Sequence, residues 1–570
     1  DGESATGRRN ELIIAGGVLL GAVVSAMTAR RAMGRLDAIN QDWDASFHAN
    51  ATRFILDTGN ADPAALAALY PQETFFYPNA WHALGAIVGR LSGASIPELL
   101  GSSNLLVGGI AGLGLAALIR AHGGRVAAAA AVPLLLASFS GFPIDVLWRG
   151  PLLPYAAGIA LVPAFLLAFS DAVQTRRPAF VLVAALGAAG LLGLQPATAL
   201  TAAVFAVFLV VARWIQRPAR IGRDLMVAGA ASLLTAVLAF TFVGGALLAR
   251  SVAAGAPIDW PAVETPGQAL GELLLLNHAA PFPQYWLALL VLAGLGGLAR
   301  LRGLRWFVGG TAVFAALFVA AAAYDAPLVE SVTLPWWNDR YRFVAIVTLG
   351  LAVLASHGLV LLASVAVRLV TRIPAVAARP RGLVFSVAVV SLLAVVGLGS
   401  GGFYVPYNAE RMSGAFGPSA YVSEAEREAM AHLADIAGEP GERVMNDPRD
   451  GSVWMYALEG LRPVFGHVID PGAATEDLSQ DAQTLLASFS CLDTDEAVRD
   501  LVITHDIGYV FVGPGFLRFE FDRAPGLRRL DSADSLELIY IEDGVRIYEV
   551  DLAPLRPRSE ADPACADRPS

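Results

Sequence analysis

Long apolar runs separated by short polar punctuation dominate the chain down to about residue 400. About eleven of them recur, near 11–29, 97–119, 126–142, 153–170, 179–194, 197–213, 226–248, 284–299, 306–323, 343–366 and 383–401. A helix needs roughly 20 residues to cross a bilayer. Lipid leaves backbone groups no partners but each other, so helices are expected. From about residue 402 the pattern becomes that of a soluble domain. Residues 423–437 predict a helix with Ser423 as N-cap and Glu426 three residues on, a capping box. Segments 443–446, 509–512, 537–541 and 546–550 read as strands, with Asp543-Gly544 as the hairpin turn between the last two. A helical stretch near 495–505 precedes the second of these strands, and the Pro-, Arg- and Asp-rich tail from 554 reads as loose. The expected fold class is a multi-pass α-helical membrane protein of about 11 transmembrane helices followed by a C-terminal extracytoplasmic α/β domain. The expected domains are 1–401, with outer loops 31–96 and 250–284, and 402–570.

Composition agrees: 55% of residues are hydrophobic, 16% are charged, and mean hydropathy is +0.56. Soluble domains carry about 25% charged residues. A net charge of −10 argues against a nucleic-acid partner. The sequence contains no lysine, so a side-chain cation that grips a phosphate must be a guanidinium. Arg8 and Arg9 precede the first apolar run in the manner of a signal peptide. Arg30 and Arg31 follow it, and we read a retained first span. Arginines then cluster at alternate loops: Arg120 and Arg125, Arg176 and Arg177, Arg213 to Arg223, Arg300 to Arg305, and Arg368 to Arg381. The positive-inside rule places these loops in the cytoplasm. It predicts a cytoplasmic N-terminus, an extracytoplasmic C-terminal domain and a plasma-membrane location.

The remaining loops are longer and chemically richer. The first, 40–82, holds Asp42, Asp44, His48, Glu73 and His82 among Trp43, Phe47, Tyr77 and Trp81. If it is helical, Asp44 and His48 share a face. Such acids and imidazoles suit a general base or a metal site. The plain alternative is a loop whose acids merely face water. At 334–342, Leu-Pro-Trp-Trp-Asn-Asp-Arg-Tyr-Arg, Asn338 or Asp339 would cap a helix beside Arg340 and Arg342. A helix N-terminus with two guanidiniums matches a phosphate. The alternative is a snorkelling pair neutralised by Asp339. Trp148-Arg149 repeats the arginine-plus-aromatic theme, and Trp336 and Trp337 add stacking faces. Gln195, at the outer end of a span, could bond a ligand or simply cap neighbouring helix ends, and His278 is a further candidate ligand contact, although the loop around it also reads as an amphipathic surface helix. Cys491 and Cys565 could pair in an oxidising compartment. No Walker loop, His-Glu-x-x-His, Cys-x-x-Cys or nucleophile elbow occurs, so no nucleotide cofactor is implied.

An acidic pair just after the first span, many spans and a C-terminal α/β domain resemble the GT-C superfamily of membrane glycosyltransferases. Asp-Trp-Asp-Ala-Ser-Phe-His (42–48), Tyr-Pro-Asn-Ala-Trp-His (77–82) and Pro-Trp-Trp-Asn-Asp-Arg-Tyr-Arg (335–342) resemble, within it, an actinobacterial family without an assigned reaction. The resemblance covers essentially the whole chain. It implies transfer of a sugar from a polyprenyl-phosphate donor, arabinofuranose or mannose, to an envelope polysaccharide or glycolipid outside the membrane. Asp44 or Asp42 would be the base, and Arg340, Arg342 and Arg149 would steady the leaving phosphate. Some members hold a divalent cation (Ca, Mg or Mn), for which Asp42, Asp44 and His48 would be ligands, although the spacing does not demand one. His48, Glu73, His82, Trp81, Trp148, Gln195, His278, Trp336, Trp337, Asn338 and Asp339 would line the substrate. That reaction requires acids and guanidiniums to face one hollow. The alternatives are a polyprenyl-lipid or glycan transporter, which would favour midplane charges and repeated halves, and a non-catalytic glycan-binding scaffold.

Overall fold

The structure, a computed structural model, describes residues 2–69, 76–240, 260–278, 280–417, 421–437, 442–468, 478–556 and 565, with side chains from residue 7 onward except at 302. The chain divides into two compact units. Asp1–Leu36, Gly101–Gly244 and Pro257–Gly414 form the first; Asp37–Leu100, Gly245–Ala256 and Ala415–Ser570 form the second. The loop after the first span, placed from sequence with residues 1–401, therefore groups with the C-terminal region instead.

Each of the eleven apolar runs contains helix. Among the described residues eight helices are long and apolar enough to cross a membrane: Gly7–Met33, Ile96–Ala121, Leu153–Thr175, Pro196–Gln216, Pro218–Leu238, Arg305–Ala323, Arg340–Val370 and Arg381–Gly399. A bent pair, Val126–Ser138 and Ser140–Trp148, makes a ninth, and Pro178–Leu194 and Tyr285–Gly296 are shorter apolar helices. The protein is a helical membrane protein. Arg340–Val370 is the helix its unit packs around, with 83% of its apolar window buried against 17% for Arg381–Gly399. Its Gly358 lies so close to the Tyr285–Gly296 helix that a Cβ there would sit 2.0 Å from Leu290 O. Small residues allow such backbone approach where packing rather than hydrophobicity joins helices.

The 58° bend after Ser138 frees backbone groups that lipid could not satisfy. Two amides do so. Gln284 accepts from Ser140 N–H at 3.1 Å and donates to Ser138 O at 2.9 Å; Asn408 donates to Ser138 O at 3.1 Å and accepts from Ser140 Oγ at 2.7 Å. The chain beyond the bend, read from sequence as loop, forms the short helix Asp145–Trp148.

In the second unit β1 (Arg443–Met445), β2 (Arg462–Pro463), β3 (Ile507–Val512), β4 (Leu536–Glu542) and β5 (Val545–Val550) form a sheet of order β2-β1-β3-β5-β4. β1 pairs parallel with β2 and β3, and β5 pairs antiparallel with β3 and β4. Alternation along β3 sends Tyr509 and Phe511 to one face and Val510 to the other. The first face packs Ala429, Met430 and Leu433 of helix Glu424–Ile436; the second packs Leu485, Val498 and Val502 from helices Gln480–Ser488 and Glu496–Thr504. Ser423 and Glu426 close the expected capping box. Asp543 and Gly544 both take positive φ, 44° and 84°, as a two-residue hairpin turn requires. Cys491 is joined to Cys565 by a disulfide. Helices Ala45–Thr58 and Ala80–Ser92 complete this unit. Asn50 of the first, buried, donates to Val453 O at 2.7 Å and Gly466 O at 2.6 Å, and accepts from Ala457 N–H at 3.0 Å.

Candidate functional site

In the first unit the chemistry gathers at the start of helix Arg340–Val370. Thr333 Oγ1 donates to Asn338 Oδ1 at 2.6 Å and Trp337 N–H donates to Leu334 O at 2.7 Å. These bonds hold Trp337 and Asn338 at φ 62° and 51°, a region that non-glycine residues rarely adopt. The turn delivers Asp339 to the N-cap, where its carboxylate accepts from Tyr341 N–H at 2.8 Å. Of the two expected caps, Asn338 and Asp339, the helix N-terminus takes Asp339. Arg340 and Arg342, two apart on the helix, point to different sides. Arg342 is buried 3.4 Å from Asp339 and over the rings of Tyr155 (5.1 Å) and Trp337 (5.7 Å). Arg340 turns toward Glu264, 3.8 Å away, and the ring of Tyr341, 6.0 Å away. Trp336 is corrected: it is core, donating to Thr201 Oγ1 at 2.9 Å between Phe314 and Phe343.

Arg149 is brought to the same place. Its guanidinium lies 5.2 Å from the ring centre of Tyr341, 5.5 Å from Trp260 and 5.9 Å from Trp148. Among the described residues it has no carboxylate partner, and its Nε is buried without an acceptor. Beside it, fully buried Asp145 is gripped by Arg411 at 2.6 Å and faces Nδ1 of His278 at 3.4 Å. Arg411 also lies 5.1 Å from the ring of Trp148, and the ring of His278 stands 4.6 Å from that of Tyr341. His278 was visible in the sequence; Asp145 and Arg411, 133 and 266 positions from their partners, were not. Stacked guanidiniums are weakly hydrated and present a planar fork that matches phosphate oxygens. One of these cations, Arg149, has three rings around it and, among the described residues, no carboxylate in ion-pair contact.

In the second unit Asp44 is the N-cap position of helix Ala45–Thr58, and His48 sits one turn on, its N–H donating to Asp44 O at 3.0 Å. Asp42 is half-buried and accepts from Arg518 Nη2 at 2.9 Å. The same guanidinium lies 5.5 Å from the ring of Trp43, which meets Phe521 edge-on. Phe519 beside it is fully exposed. His48 and His82 are buried against each other, Nδ1 to Nε2 at 2.9 Å, within Phe47, Tyr77 and Trp81. Burial lowers His82 to about 3 and His467, whose ring meets Phe47, to about 4, so both imidazoles are neutral at physiological pH. His48, His82 and Trp81, expected to line substrate, are instead packed inside. Among the described residues no three His, Cys, Asp or Glu assemble as a metal group, Asp42, Asp44 and His48 included. Glu73 lies outside the described residues. Gln195 caps helix Pro196–Gln216 in the first unit, its carbonyl accepting from Thr198 N–H at 2.9 Å, and it is not drawn to the arginine cluster. The acids therefore belong to the second unit and the guanidiniums to the first.

A family model described as a family of unknown function, DUF6541, matches residues 1–552. No curated protein sequence matches the chain. Among solved structures, the arabinofuranosyltransferase AftD from mycobacteria is similar with a TM-score of 0.55 at 16% identity, over 94% of this chain and 40% of that one. ArnT from Cupriavidus metallidurans in the apo state gives 0.54 at 14% identity, over 96% and 98%. The archaeal oligosaccharyltransferase AglB from Archaeoglobus fulgidus, in complex with an inhibitory peptide and a dolichol-phosphate, gives 0.50 at 12% identity, over 87% and 69%. At such identities the likeness establishes the fold, the GT-C architecture that these three share.

Proposed function

The chain belongs to the DUF6541 family and carries the GT-C fold, and on that premise we propose that it is a membrane glycosyltransferase using a polyprenyl-phosphate sugar. The observation that carries the reading is Arg149, a cation held among Trp148, Trp260 and Tyr341 with no carboxylate partner among the described residues. A phosphate would give it the missing counter-charge, with Arg340 on the other side of Tyr341 as a second donor. As the donor's sugar–phosphate bond breaks, negative charge grows on the leaving oxygens, and fixed guanidiniums stabilise that charge more than the ground state.

The acceptor hydroxyl must lose its proton as its oxygen attacks the sugar's anomeric carbon. Asp44, at the N-cap position of helix Ala45–Thr58, is the carboxylate we assign to that proton. Trp43 and the exposed Phe519 offer faces on which a glycan acceptor would stack. The product is the lengthened glycan and free polyprenyl phosphate, with no nucleotide needed. Arabinofuranose or mannose is the proposed sugar and an envelope polysaccharide or glycolipid the acceptor. The reaction would take place on the extracytoplasmic side of the plasma membrane, with the N-terminus in the cytoplasm. The similarity to a protein named arabinofuranosyltransferase favours the first sugar.

The test is transfer by purified protein from synthetic polyprenyl-phosphate arabinofuranose and, in parallel, polyprenyl-phosphate mannose. We expect Asp44→Asn to abolish transfer while the protein remains folded. Transfer at the wild-type rate by that variant rejects Asp44 as the base. No transfer by the wild type from either donor rejects the proposed donors.

A further inference from the structure

Away from the arginine cluster, the first unit carries an open groove of about 510 Å³. Val23, Ala26 and Met27 of helix Gly2–Met33, with Leu105 and Val405, form its apolar wall, and Arg30 and Arg31 stand with them. Ligand pockets run from about 300 to 1,000 Å³, so the volume suffices for one lipid chain. Most of the first helix is unburied, with Leu19, Val23 and Met27 among its exposed apolar residues, so its surroundings are lipid tails.

The charged end is not explained by the helix alone. Arginines in a last turn answer the partial negative charge of a helix C-terminus, and Arg30 does donate to Gly34 O. Arg31 is exposed and has no carboxylate partner among the described residues. Val405 begins the nine-residue helix Val405–Ser413, whose first N–H already donates to Gly402 O at 3.1 Å and whose second residue, Pro406, has none, so the arginines are the cations of this end. Arg8 and Arg9 occupy the opposite end of the first helix. Whichever way that helix crosses, one arginine pair lies on the side that the positive-inside rule disfavours.

We infer that this groove binds an anionic phospholipid, with its chain along Val23, Met27 and Leu105 and its phosphate on Arg31 and Arg30. Apolar wall and cationic rim then match the two halves of one amphipathic molecule. None of these residues belongs to the Arg149 cluster, so the inference stands apart from the transferase reading.

The experiment is native mass spectrometry of the whole chain in detergent, titrated with phosphatidylglycerol and, separately, with diacylglycerol of the same chains. We expect one phosphatidylglycerol per protein and no comparable retention of diacylglycerol. Arg31→Gln should weaken binding roughly fivefold, and the double variant with Arg30→Gln roughly thirtyfold. Ala26→Trp, which fills the groove with both arginines intact, should remove it. Both arginines are exposed, so the arginine variants decide the matter even if Ala26→Trp does not fold. Equal retention of the two lipids, or wild-type affinity in the double variant, overturns the proposal and leaves only ordinary boundary lipid.

Discussion

Arg149 shows how much a single residue's neighbours decide. Three aromatic faces hold its guanidinium in place without neutralising it, whereas Arg342, in the stretch that looked most like a phosphate site, is neutralised by Asp339. On the transferase reading, Arg149→Gln should lower kcat/KM for the polyprenyl-phosphate donor by about 10²–10³. Arg149→Lys should recover only part of it, because an ammonium lacks the planar fork. Steady-state kinetics on the two variants checks both expectations. Glu426 makes a different residue-scale prediction. Burial, and after it the charge of Asp450, push its carboxyl up to about 8. The folded state keeps this proton between about 4.5, the ordinary value, and about 8, where the unfolded chain has released it. Stability from this group is therefore greatest below the ordinary value and falls as pH rises toward 8, by of order a few kcal/mol. Glutamine preserves the capping box with Ser423 but cannot titrate. Thermal melting of Glu426→Gln should lose the decline between about pH 5 and 8 that the wild type shows; parallel curves would remove Glu426 as its cause.

Among elements, helix Ala45–Thr58 is held within the second unit in part by the three hydrogen bonds of one amide, Asn50. Asn50→Leu would leave Val453 O, Gly466 O and Ala457 N–H without their partner, costing roughly 2–5 kcal/mol. Denaturant unfolding followed by near-ultraviolet dichroism measures that loss, and a change under about 1 kcal/mol would mean that water replaces the amide easily. Elements whose signals are contiguous were legible in advance. Ser423 with Glu426 and Asp543 with Gly544 carry their geometry in adjacent residues. The bend after Ser138 was not legible, because the amides that satisfy it, Gln284 and Asn408, come from 144 and 268 positions away. Strand β2 was missed too; two residues long, it is defined by its pairing with β1 rather than by any run of its own.

For the molecule as a whole, the loop arginines propose a sidedness that labelling can test. With the N-terminus in the cytoplasm, a cysteine introduced as Glu537→Cys should react with an impermeant maleimide on intact cells, and Arg177→Cys only after permeabilisation. The reverse pattern would invert the topology and the compartment of the proposed reaction.

Spans, caps and the two-residue hairpin turn follow from the sequence by itself, since hydropathy over roughly 20 residues and chemistry within three or four positions need no distant partner. The membrane class and the sheet-bearing C-terminal region were determined at that level. Tertiary structure alone decided which charges are neutralised. Arg342 meets Asp339, Asp42 meets Arg518, and Asp145 meets Arg411, while Arg149 meets three rings. A side chain's charge is written in the sequence, but its counter-charge is set by where the chain returns in space and by the direction in which each helix residue points.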